Sequence, residues 1–201
     1  MNEFYKDLIK KLGEENFKKI QSARIGIAGL GGLGSNCALS LVRVGFIKFT
    51  MVDFDVIDHS NLDRQFYFAD QVGQDKALAL DTNLRRINAD VEIKGIKAKV
   101  DKNTVEGFFG DCPVVAECFD TAENKSMLVS ELLRLGKFVV SASGLGGYGA
   151  SDEIRTHRVK DNLVIVGDLR SDISTRPAIS PRVNIAAAKQ ADAILEYIIG
   201  K

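Results

Sequence analysis

Tryptophan is absent from this 201-residue chain, and cysteine, proline and histidine occur no more than three times each. Cys37, Cys112 and Cys118 are odd in number and form no C-x-x-C pair, which argues against both a disulfide framework and a four-thiolate zinc site. Each is read as a small buried apolar residue. No serine or cysteine nucleophile motif accompanies His59 and His157, so both are read as surface or turn residues. Neither sign of charge is in excess, with 27 Lys+Arg against 27 Asp+Glu. The long-range field that draws a protein to nucleic acid or an anionic membrane is therefore missing. No apolar run approaches the ~20 residues needed to span a bilayer, and the N-terminus carries acids instead of a secretory apolar core. A cytoplasmic protein is expected, with no nucleic acid or membrane partner.

What is present is ordinary globular composition, 45% hydrophobic and 27% charged, at a length that suits one domain spanning residues 1–201. The informative stretch is Arg24 to Ser35. Arg24-Ile25-Gly26-Ile27-Ala28 reads as a buried strand and runs directly into Gly29-Leu30-Gly31-Gly32-Leu33-Gly34, a G-x-G-x-x-G turn. Gly29 permits the tight turn, Gly31 and Gly32 leave the backbone open to a ligand, and Gly34 lets the next helix approach the strand. A helix from Ser35 to Val44 and a strand from Phe46 to Val52 follow, ending at Asp53. That acid stands where a carboxylate accepts ribose hydroxyls, so the unit reads as a nucleotide site.

Asn2 to Ser22 shows helical apolar spacing with a break at Gly13, and reads as an amphipathic segment lying on the domain or on a partner subunit. The Lys10-Lys11 and Lys18-Lys19 pairs form its wet face. Phe54 to Phe68 is an irregular polar segment, and a helix opens near Lys76. Val91 to Val100 alternates as a strand with a phase slip at Gly95, which predicts a bulge. Pro113 to Phe119 is a further strand that ends at Asp120, in a position equivalent to that of Asp53. Thr121 to Leu135 reads as helix, Phe138 to Ala142 as strand, and Ile154 to Val159 with Leu163 to Val166 as an antiparallel hairpin. A loop of about 14 residues then leads to a last helix near Pro181. This order predicts an α/β fold, a Rossmann-like doubly wound and mostly parallel sheet with an antiparallel addition near the C-terminus.

Asp53, Arg64, Lys76 and Asp120 all fall at strand ends or in the loops and helix starts beyond them, so one crevice can hold them. A nicotinamide cofactor needs an acid for its ribose and a mostly apolar pocket. A nucleoside triphosphate needs cations for its phosphates and a carboxylate for Mg²⁺. The set favours ATP over NAD. Taken singly, Arg64 and Lys76 would read as solvated surface charges, and Glu117 as either a support for a metal site or a residue facing water.

Five segments occur in the order and approximate spacing of the ThiF/MoeB adenylyltransferases, relatives of ubiquitin-activating enzymes, which the chain resembles. They are Gly29 to Gly34, Asp53-Phe54-Asp55, Ser60-Asn61-Leu62-Asp63-Arg64-Gln65, Val72 to Lys76, and Glu117-Cys118-Phe119-Asp120. Pro181 to Gln190 resembles the closing helix of the short, zinc-free members associated with thiamine biosynthesis. The resemblance implies that Gly32 and Asp53 contact the nucleoside of ATP, that Asn61, Arg64 and Lys76 hold phosphates, and that Asp120 binds Mg²⁺. It further implies that Gly29, Gly31, Gly34, Asp55, Ser60, Gln65 and Thr121 surround the nucleotide, with Arg64, Lys76 and Asp120 acting in catalysis. The implied reaction is adenylation of the C-terminal carboxylate of a ubiquitin-like sulfur carrier protein by a homodimer.

The sequence departs from the family in four places. It has no C-x-x-C pairs, no cysteine in a loop after the hairpin for a thioester or persulfide step, no arginine before Arg24 to reach a partner's site, and Thr121 where Asn is common. Lys6 is the nearest replacement for the arginine. An NAD-dependent oxidoreductase, carried by the glycines and Asp53 alone, and a non-catalytic nucleotide-binding module stand as alternatives. Adenylation of a modified tRNA base is disfavoured by the balanced charge.

Overall fold

The computed structural model describes residues 3–200. Asn2, counted in the expected N-terminal helix, lies outside them. The expected segment is two helices, α1 (Glu3–Leu12) and α2 (Glu14–Ser22), separated by Gly13 at φ 82°. Both lie on their own domain. Leu8 and Phe17 close on Gly45, Gln21 donates to the Gly45 carbonyl at 2.6 Å, and Tyr5 is hydrogen-bonded to Asn88.

The chain continues through β1 (Arg24–Ala28), α3 (Gly32–Arg43), β2 (Lys48–Asp53), α4 (Lys76–Arg85), β3 (Glu92–Lys97), α5 (Val105–Phe109), β4 (Val114–Glu117) and α6 (Ala122–Arg134). It ends with β5 (Phe138–Ala142), β6 (Arg155–Lys160), β7 (Leu163–Gly167) and α7 (Ser180–Ile199). These form one sheet of order β3-β2-β1-β4-β5-β7-β6, parallel except where β6 pairs antiparallel with β7. The strand period of two divides the core. Ile25, Ile27, Met51, Ala116 and Val140 face α3, α4 and α7, whereas Ala28, Val52, Val115 and Val139 face α5 and α6. Winding proceeds outward from β1 to β3 and then restarts at β4 on the other side of β1, so the carboxyl ends of β1 and β4 open a crevice.

Three local expectations are corrected. Pairing of β3 with β2 runs unbroken from Glu92 to Lys97, so Gly95 makes no bulge; the phase slip reflects an edge strand partly exposed on both faces. The irregularity lies in β6, between Arg158 and Lys160. The first nucleotide-site helix begins at Gly32, three residues earlier than its apolar spacing indicates, because glycines carry no hydropathy signal. Finally, β4 ends at Glu117, so Asp120 lies in a turn three residues beyond the strand. Among the described residues no helix is long and apolar enough to cross a membrane.

Candidate active site

The glycine turn joins β1 to α3. Gly29 has φ 87°, and a Cβ on it would lie 2.9 Å from the Cys118 carbonyl oxygen, so this position requires glycine both conformationally and sterically. A Cβ on Gly34 would lie 1.9 Å from the Gly29 carbonyl oxygen and 3.1 Å from Ile27, so this residue serves the turn itself as well as helix packing. Gly31 is open, with only Gln65 Nε2 at 3.7 Å from the missing Cβ. Gly32 is not open, which corrects the expectation for it: Val183 of α7 and the stem of Arg64 fill the space, at 2.8 and 3.3 Å. Gly31 caps α3 without a side-chain hydrogen bond, so the first amides of a twelve-residue helix face the crevice. Such amides and the positive dipole end attract anions.

Asp53, the last residue of β2, receives the Leu30 amide on Oδ2 at 2.6 Å and the Asp55 amide on Oδ1 at 2.8 Å. One buried carboxylate thereby fixes the glycine turn against the next loop. Asp55 in turn meets Lys76 at the start of α4, its Oδ2 2.9 Å from Nζ. Lys76 is buried, so the alternative of a solvated surface charge does not hold for it. Arg64 is 28% exposed along its side chain and bonds the Ser60 carbonyl at 3.1 Å and the adjacent Asp63 at 2.6 Å. The Asn61 side-chain oxygen accepts the Asp58 amide, and its NH₂ group makes no hydrogen bond among the described residues; Ser60 is exposed. Gln65 Nε2 lies 3.7 Å from where a Gly31 Cβ would stand, while its Oε1 is shut off from solvent with no partner among the described residues. A side-chain amide donor beside an open glycine fits a cradle for a polar ligand.

Asp120 is exposed and makes no hydrogen bond or ion pair among the described residues. Thr121, also exposed, caps α6 without a side-chain bond. The turn reaches the glycine loop through Phe119, 3.1 Å from where a Gly29 Cβ would stand. Among the described residues, no three His, Cys, Asp or Glu come together as a metal cluster. A resident all-protein cation site is therefore a poor fit. A Mg²⁺ held mainly by nucleotide phosphates needs only one or two carboxylates, and a lone free Asp120 fits that requirement.

Several residues that join the site were not singled out from sequence. Tyr67 donates to Leu30 O at 2.8 Å and to Lys76 O at 3.4 Å, tying the glycine turn to α4. Burial, with Asp53 nearby, pushes its phenol pKa up and keeps it a neutral donor. Ser35 Oγ donates to Gly31 O and accepts the Phe66 amide, while Asn36 donates to the Gly32 and Arg64 carbonyls. The loop carrying Arg64 is thereby fastened to α3. Arg182, buried at the start of α7, pairs with Asp168 and donates to Gly149 O, joining the loops beyond β5 and β7. Glu117 does not face water: it is fully buried against Lys125. Lys6 pairs with Glu3 on α1, which packs on this domain beside Gly45, at the edge away from the crevice. Two concavities of about 460 and 490 Å³ also open at that far edge, and no predicted site residue lines either.

Comparison with known proteins accords with this geometry. The chain is 28% identical over 204 residues to the sulfur carrier protein ThiS adenylyltransferase of Bacillus subtilis (strain 168), covering 97% of this chain and 60% of that protein. It is 33% identical over 132 residues to the adenylyltransferase and sulfurtransferase UBA4 of Candida glabrata, covering 65% of this chain and 30% of that one. The chain thus spans 60% or less of the length of these curated relatives. The E. coli tRNA N6-threonylcarbamoyladenosine dehydratase TcdA, solved in complex with AMP, superposes with a TM-score of 0.87 at 19% identity, over 96% of this chain and 92% of that one, and shares the fold. Residues 5–201 match the model of the ThiF family, and the chain belongs to that family.

Proposed function

We propose that this chain is an ATP-dependent adenylyltransferase that activates the C-terminal carboxylate of a ubiquitin-like sulfur carrier protein, ThiS-like and serving thiamine biosynthesis, in the cytoplasm. The observation that carries the reading is the single hydrogen-bonded framework at the carboxyl ends of β1 and β2, which unites the open face at Gly31 with Asp53, Arg64 and Lys76. A ribose acceptor, a helix N-terminus and two cations on one rigid frame suit a nucleoside triphosphate better than a nicotinamide, whose hydride transfer wants a dry apolar pocket. The family and the ThiS adenylyltransferase relative support the same reading.

In this mechanism the nucleoside lies against Gly31 and Asp53, with Asp55, Ser60, Gln65 and Thr121 around the nucleotide and Asn61 beside its phosphates. A carrier carboxylate oxygen forms a bond to the α-phosphorus as the bond from that phosphorus to the bridging oxygen breaks, and pyrophosphate leaves. No protein nucleophile is required. Arg64 and Lys76 neutralise charge that grows on the phosphates, and their prior orientation is the source of the rate gain. Asp120 would hold Mg²⁺, which when bound would supply positive charge against the negative charge of the phosphates.

The direct test is exchange of pyrophosphate into ATP, dependent on a ThiS-like carrier and run beside a panel of other carriers. ATP with Mg²⁺ should bind and NADH should not. Binding of NADH alone would sink the reading in favour of an oxidoreductase, and ATP binding without exchange on any carrier would leave a nucleotide-binding module. The reading includes a homodimer, so a monomer by light scattering that retains full activity would contradict that part.

A further inference from the structure

Beneath the turn that carries Asp120 lies a fully buried carboxylate to which adenylation assigns no task. Glu117 Oε1 accepts the Phe119 amide at 2.7 Å and Lys125 Nζ at 3.2 Å. Its Oε2 accepts Ser141 Oγ at 2.6 Å and lies 2.9 Å from Lys125 Nζ. Lys125, in the first turn of α6, also donates to the Phe119 carbonyl at 2.7 Å. Both backbone groups of Phe119, the residue immediately before Asp120, are therefore held by one ion pair. Gln190 of α7, itself fully buried, donates to the Glu117 and Val140 carbonyls at 3.2 and 3.1 Å and anchors the strand ends from below.

A buried ion pair is a poor device for stability, since well-packed apolar residues of similar volume often do as well or better. What it supplies here is geometry. Among the described residues the Thr121 side chain makes no capping bond at the start of α6 and the Asp120 side chain has no partner, so neither side chain fixes the turn. The chain leaves the sheet at Cys118 and is turned by Glu117 and Lys125 before Asp120 emerges into the crevice.

We propose that Glu117 and Lys125 are a positioning pair that sets Asp120 for the cation carried by a bound nucleotide. The inference rests on the adenylation reading of Asp120. Supporting groups of this kind typically change metal affinity by about 10- to 100-fold when removed. Ser141 and the Phe119 backbone supply the further hydrogen bonds that keep the pair buried without an unpaired charge.

The test measures ATP affinity by calorimetry on the full chain, with Mg²⁺ and again with a chelator, so that the readout is the strengthening due to Mg²⁺ and needs no carrier. Charge-neutral removal of the pair, Glu117→Gln with Lys125→Met, should leave the Mg²⁺-free affinity within about twofold and reduce the Mg²⁺-dependent strengthening by about tenfold or more. Lys125→Arg, which keeps the charge and the donors, should restore most of it. If the double variant does not fold, Lys125→Gln is read in the same assay against the same two outcomes. Wild-type Mg²⁺ dependence in the pair variant, alongside its loss in Asp120→Ala, overturns the positioning role and spares the adenylation reading. Unchanged Mg²⁺ dependence in Asp120→Ala overturns both the role given to Asp120 and the inference built on it.

Discussion

The ammonium of Lys76 stands 2.9 Å from the carboxylate of Asp55, with the lysine stem buried and the aspartate 46% exposed. A cation proposed to meet a phosphate is thus held beforehand by an anion from the neighbouring loop. It is oriented by a partner that water can reach, so an incoming phosphate displaces or shares a solvated carboxylate and not a buried one.

Lys76→Ala should lower carrier adenylation by roughly 10² or more, the effect of removing one preorganised charge-stabilising group. It should also cost about 1–2 kcal/mol of stability, because a buried stem is lost along with the charge. Pyrophosphate exchange and urea unfolding measure the two effects separately. A normal rate would mean that the site has been put in the wrong place.

Arg64→Ala should show a similar rate loss with a different stability signature. The guanidinium is partly exposed and its carboxylate partner is the adjacent Asp63, so unfolding should shift by no more than about 0.5 kcal/mol. A large drop in stability with unchanged exchange would reverse the assignment.

The glycines separate turn from ligand face. Gly34→Ala drives a Cβ into the Gly29 carbonyl oxygen, and should destabilise by about 1–3 kcal/mol or more. Gly31→Ala meets almost nothing and should leave the melting temperature nearly unchanged while weakening ATP binding. Equal thermal shifts in the two variants would contradict this division.

Asp120→Asn should raise the Mg²⁺ concentration needed for half-maximal exchange, because the amide supplies a neutral oxygen where the cation prefers a carboxylate. Titrating Mg²⁺ at fixed ATP reads this directly. An unaltered titration curve would remove Asp120 from the cation site.

The three thiols make stability depend on alkaline pH. Burial pushes Cys37 and Cys112 from the ordinary 9.0 up to about 12, and Cys118 well above the ordinary value. Unfolded thiols release protons near 9.0 while folded ones retain them, so the folded chain binds more protons in that window. Their contribution is full below about pH 9 and declines as pH rises toward 12. Urea midpoints taken on either side of pH 9 should fall with pH, and less steeply in Cys37→Ala. Identical slopes for the variant and the parent would show that Cys37 does not contribute.

Much of the site was legible because it is local. Gly29 announces a positive-φ turn, Asp53 follows one strand later, and Pro181 marks a helix start, all through short-range rules. Gly32 was misread for the opposite reason: the Val183 side chain that fills its open side comes from about 150 residues further along the chain. The depth of Lys76 and the exposure of Asp120 were equally hidden. Asp53 closes β2, whereas the chain leaves β4 at Glu117, which lies level with Val52 on the other side of Ala28. A run of apolar letters through Phe119 gives no sign of where pairing stops.

The sequence alone determined the class of fold, the nucleotide turn and the residue types available for phosphate chemistry, because hydrophobic period, glycine conformation and charge are properties of neighbours in the chain. Only the tertiary structure decided which of those residues are held and by what. Tyr67 bonding Leu30, Ser141 and Gln190 bonding Glu117, and Arg182 bonding Gly149 are pairings of groups distant in sequence. Each exists because a polar group taken into the interior must find a partner, and that partner is chosen by packing and not by proximity along the chain.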